Sequence, residues 1–145
     1  DVPASGTNNS FWKHIYLKVT GGSFTRIENI KFYTDGSSFG SGVTTYIGTE
    51  LPTHNSGDSS GYTKATGTDN GGDDLLDHDS INTKNNVFTF TSGTPKNITI
   101  SESDNVISNV GESTDYIVAQ MEVSTSVSLK GDLTDKTWYF IFDEL

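Results

Sequence analysis

The segment FWKHIYLKVT, Phe11 to Thr20, alternates along its length. Ile15, Leu17 and Val19 share one face while Trp12 and Tyr16 occupy the other, the period of two that a half-buried β-strand requires. The aromatic second face is not plainly polar, so it raises the question of what covers it. TGGS then supplies a turn, and RIENIKFYTD reads as a second strand with Ile30 and Phe32 inward. GSSFGSG is a loop and VTTYIGT a short third strand.

From Pro52 to Ser80 the pattern dissolves into Gly, Ser, Asp, Asn and Thr. Alternation returns in NVFTFTS and KNITIS, where Ile98 and Ile100 point one way. DYIVAQMEV sets Ile117, Ala119, Met121 and Val123 against Tyr116, Val118, Gln120 and Glu122. KTWYFIFDEL places Trp138, Phe140 and Phe142 in register. About eight strands separated by turn signals, with no helical period, predict an all-β chain. The expected architecture is an antiparallel β-sandwich, jelly-roll-like or immunoglobulin-like, with a long acidic middle loop. Residues 1–10, DVPASGTNNS, carry no core pattern and are expected to be an arm or linker; residues 11–145 form a single domain. The missing initial Met fits processing or excision from a longer polypeptide.

Composition narrows the function. The net charge of −10 argues against nucleic acid and anionic lipid as partners. No apolar run reaches the length of a membrane helix, and no signal peptide is expected. Without cysteine there is no disulfide, zinc–thiolate or thiol chemistry.

The candidate chemistry is thin. GSSFG, Gly36 to Gly40, matches the G-x-S-x-G elbow with Ser38 as nominal nucleophile, but the residues after it are β-like where the elbow needs a helix. His14, His54 and His78 lack metal-binding spacing, although a zinc site assembled from distant segments is a second reading. DNGGDDLLDHDS, Asp69 to Ser80, holds five aspartates. Asp69, Asp73, Asp74, Asp77 and Asp79 carry enough oxygens for calcium, yet their spacing is not that of an EF-hand loop. A solvated acidic loop, exposed and tolerant of substitution, is the competing expectation, with Leu75 and Leu76 hinting that it tucks back on the body. Trp12, Tyr16 and Tyr33 could form a platform for sugar rings. Packing against a long loop or a neighbouring subunit is the simpler role for those aromatics and for Tyr116.

FWKHIYLKVT, IENIKFYTDG, SGVTTYIGT, VFTFTSG, DYIVAQMEV and TWYFIFDE together resemble a loose group of small β-sandwich virion proteins. These are head-decoration or fibre-like components of tailed phages and related viruses. The likeness spans most of Phe11 to Glu144 and rests on strand and turn patterns; the acidic middle stretch departs from it. It brings no catalytic residues and no cofactor. It implies a non-enzymatic subunit on the virion exterior, bound to the major capsid or another virion protein and to copies of itself. Partner-binding is then expected at Trp12, Tyr16, Tyr33 and Tyr116. The alternatives are an extracellular or cell-surface carbohydrate-binding or adhesin module, and a secreted filament subunit whose arm completes a neighbour's sheet.

Overall fold

Period-two alternation in the longer segments produces two antiparallel sheets that face each other across one core, an all-β sandwich. The computed structural model describes residues 2–48, 74–78, 81–100, 105–128 and 132–145. Its strands are β1 (Thr7–Asn9), β2 (Lys13–Ile15), β3 (Ile27–Thr34), β4 (Val43–Gly48), β5 (Asn85–Asn86), β6 (Lys96–Asn97), β7 (Ile117–Ser124) and β8 (Trp138–Glu144). Among the described residues the only helices are single 3-10 turns, Leu75–Asp77 and Val87–Thr89.

The first sheet runs β1-β7-β4-β5, with β2 also paired to β7; the second runs β6-β3-β8. Between them Ile27, Ile30 and Phe32 from β3 meet Ile47 from β4 and Ile117 and Ala119 from β7. Ile98, Ile100 and Ile107 complete this core, and Trp138 and Phe140 pack against it from β8. Ile27 and Ile30 stand three apart, a spacing that a regular strand would place on opposite faces. A register shift between Glu28 and Lys31 resolves this. Asn29 takes φ 56° there and donates from Nδ2 to Asp143 Oδ2 at 2.7 Å, so the extra residue is absorbed as a bulge.

Three expectations change. NVFTFTS is not a strand: Asn86 caps a 3-10 turn by accepting from the Phe88 amide, and that turn drives Val87 and Phe88 into the core together. Phe142 shares the inner phase of Trp138 and Phe140 but lies beyond the core's end and is exposed. Residues 7–10 are not a free arm. Thr7–Asn9 pairs with β7 opposite Glu122–Ser124, and Pro3 is buried. Ser10 ties the kink between β1 and β2: its amide donates to Met121 O at 2.8 Å and its Oγ accepts from Met121 N at 2.9 Å. Backbone pairing, which needs no apolar pattern, makes this edge.

Candidate functional site

β7 lies between β1 and β2 on one side and β4 on the other, so its alternation points residues to both faces of the first sheet. Ile117 and Ala119 face the core, and Tyr116 and Val118 face outward, yet all four are buried. The cover comes from the chain itself. Trp12, Leu75, Ile81, Tyr116 and Val118 form a second apolar cluster, with Tyr46 packed against it. Residues 74–78 and Ile81 thus act as a strap across the outer face. Gly48 makes room for it, since a Cβ there would stand 2.6 Å from Ile81 Cγ2.

The acidic residues of the strap have structural work. Asp74 Oδ1 accepts from the Leu76 amide, and Asp77 Oδ2 accepts from the Asp74 amide, a reciprocal cap on the 3-10 turn. Asp74 Oδ2 also takes a hydrogen bond from Lys84 Nζ at 2.5 Å, and the same ammonium donates to Glu122 on β7. Lys84 lies 4.7 Å from the Tyr46 ring centre, so one cation joins strap, β7 and β4. Burial pushes the Asp74 carboxyl up, but the Lys84 hydrogen bond, the Leu76 amide and the Lys84 charge outweigh it and hold its pKa lowered. Burial pulls the Lys84 ammonium down, but Asp74 and Glu122 more than reverse this and its pKa is raised. Two of the five candidate calcium ligands are therefore occupied by caps and a lysine, while Asp69, Asp73 and Asp79 lie outside the described residues. No cluster of three metal-binding side chains occurs among the described residues.

The four aromatics singled out from sequence separate. Trp12 and Tyr116 are 6% and 3% exposed beneath the strap, so they offer no exposed surface to a partner. Tyr16 is exposed and meets Tyr116 edge-on at 5.2 Å. Tyr33 belongs to the second sheet, where it stacks on Tyr139 at 4.8 Å with an 11° interplanar angle. Trp12, Tyr16 and Tyr33 thus sit on outer faces of two different sheets and make no common sugar platform. Sequence spacing could not show that the strap brings His78 to His14, with Nε2 atoms 3.4 Å apart and Trp12 packed 4.8 Å from the His78 ring. His54 lies outside the described residues. Ser38 is exposed on the loop that carries the chain from β3 in one sheet to β4 in the other, not on a strand-to-helix turn.

The open surface is elsewhere. β8 pairs with β3 on one side, and no strand among the described residues pairs with its other edge. Tyr139 and Ile141 project from its outer face at 41% and 43% exposure, while Phe142 on the opposite face and Leu145 beyond the strand's end are 48% and 56% exposed. Tyr33 and Lys31 on β3 stand opposite Tyr139 and Ile141. Sequence alternation had placed Trp138 and Phe140 inward but gave Tyr139 and Ile141 no role. Their exposed apolar phase was the missed signal. Compared with protein-family models, curated proteins and solved structures, the chain matches none.

Proposed function

We propose that this chain is a non-enzymatic structural subunit, placed on a virion exterior, that binds another protein surface through β8. The exposed pair Tyr139 and Ile141 on the outer face of β8, beside an edge unpaired among the described residues, carries the reading. Such an edge is a template for a further strand, and an apolar patch of this kind in water favours association. The net charge of −10 makes copies of the chain repel one another, which favours a neutral or basic shell over self-pairing as the main contact. The resemblance to head-decoration and fibre-like proteins supplies the virion setting.

The test is binding to shells lacking the protein. Ile141→Lys should weaken capture at least tenfold, about 1.4 kcal/mol, and leave the melting temperature within a few degrees because the side chain is already exposed. Val110→Lys, at an exposed site outside β8, should bind as wild type does. Capture unchanged by Ile141→Lys, or retention on a polysaccharide column instead of on shells, would overturn the proposal.

A further inference from the structure

Among the described residues, one end of the sandwich is open. A cleft of about 500 Å3 enters between the sheets, within the size range of small-molecule sites. Ile15, Ala119 and Met121 form one wall, on the inner face of the first sheet, and Phe39, Leu133 and Trp138 form the other. Thr45 on β4 lies opposite Met121 in the same wall. Thr45 is 6% exposed, and its Oγ1 is a buried atom with no hydrogen-bond partner among the described residues. A hydroxyl left this way in an apolar wall is costly unless something else pairs with it.

The charge of the lining is equally unusual for this chain. Among the described residues, Lys13 and Lys136 border the cleft against one carboxylate, Asp135, so this lining is cationic in a molecule of net charge −10. Lys13 occupies the inward phase of β2, aligned with Ala119 of β7, where alternation calls for an apolar residue. Lys136 is held in place: Nζ donates to Ser37 Oγ at 3.1 Å and lies 5.5 Å from the Phe39 ring centre. Two cations, an unpaired hydroxyl and aromatic and aliphatic walls suit an anion with an apolar body.

We propose that the cleft binds a small carboxylate with an aliphatic or aromatic tail. The carboxylate accepts the Thr45 hydroxyl hydrogen and is balanced by Lys13 and Lys136, while the tail lies between Met121 and Trp138. This reading is independent of β8 docking.

Decanoate is the probe, titrated into the full chain and followed by tryptophan emission and calorimetry, with decyltrimethylammonium as the tail-matched cation. Decanoate should bind at about 1 mM or tighter, and the cation at least tenfold more weakly. Lys13→Glu with Lys136→Glu should lower decanoate affinity at least tenfold; Lys13 is exposed and Lys136 half-buried, so the fold should survive. Thr45→Val keeps the shape, should leave the free protein as stable or more stable, and should weaken decanoate several-fold. No binding of decanoate, equal binding of the two amphiphiles, or undiminished binding by the double lysine variant would each overturn the proposal.

Discussion

Truncating Leu75 tests whether the strap is part of the fold. Leu75 is fully buried in the outer cluster beside Trp12, Ile81, Tyr116 and Val118, although it stands in the most acidic stretch of the chain. Burying a leucine or isoleucine is worth about 1.5–3 kcal/mol, so Leu75 and Ile81 together supply roughly 3–6 kcal/mol of strap docking. Leu75→Ala leaves a cavity as well, and fully buried leucines lose about 2.7–5 kcal/mol on this change. That cost consumes most of the docking energy. The response divides into two cases that Trp12 emission separates in a Trp138→Phe background. If strap and body unfold together, urea melts should show a loss of about 3 kcal/mol, or roughly 6–12 °C in a domain of this size. If the strap detaches alone, Trp12 emission shifts to the red before global unfolding. Leu75→Met, which nearly conserves volume, should cost less than about 1.5 kcal/mol, and Leu76→Ala, at an exposed position, almost nothing. Leu75→Ala melting with wild type and leaving Trp12 emission unchanged would refute the strap.

Lys84→Met should lower stability across neutral pH because it strands Asp74 and Glu122 beside one another. The lowered Asp74 pKa contributes stability that is present above about pH 4 and is lost as pH falls through its folded value. The raised Lys84 pKa contributes stability that is present below about pH 10.4 and is lost as pH rises through its folded value. Melts of wild type and variant should therefore converge at acid and alkaline extremes, and a gap that persists in acid would count against the bridge. Asp74→Ala should cost about 1 kcal/mol by loss of the cap in metal-free buffer, measured with EDTA present; a variant as stable as wild type would restore a purely solvated role. Deleting residues 1–10 should lower the melting temperature, since it removes β1 and the Ser10 bonds to Met121. An unchanged melt would mean that the segment is an arm after all.

The strands with a strict apolar phase were legible. Ile30 and Phe32, Ile98 and Ile100, Ile117 and Ala119 all lie where alternation placed them, because one face of each segment is apolar and only one face can be buried. β1 was not legible because Thr7–Asn9 contributes backbone hydrogen bonds to β7 and no apolar side chain. The 3-10 turn at Val87–Thr89 was masked by an alternating sequence, and its signal was the preceding Asn86, a residue type that caps. Within the acidic stretch Leu75 and Leu76 were readable as a sign of tucking back, but composition could not say which was inside. Only the turn geometry buries the first and exposes the second. The His14–His78 contact joins residues 64 apart through the strap, a juxtaposition that no local pattern carries.

The position of β7 has a consequence for how the chain is made. β1, β2 and β4 draw their central hydrogen bonds from a strand that begins at Ile117, after all three have been synthesised. Until it arrives, the nascent chain holds Ile15, Val43 and Ile47 with no strand to lie between β2 and β4. Loop closure over such separations is slow, and a sheet assembled from distant segments folds in milliseconds to seconds rather than microseconds. On a ribosome adding roughly 5–20 residues per second, the first sheet cannot close until β7 has left the exit tunnel. Folding of this domain is a late event in its own translation, and a stall between β4 and β7 would release a chain whose strands are ready to pair with any edge they meet.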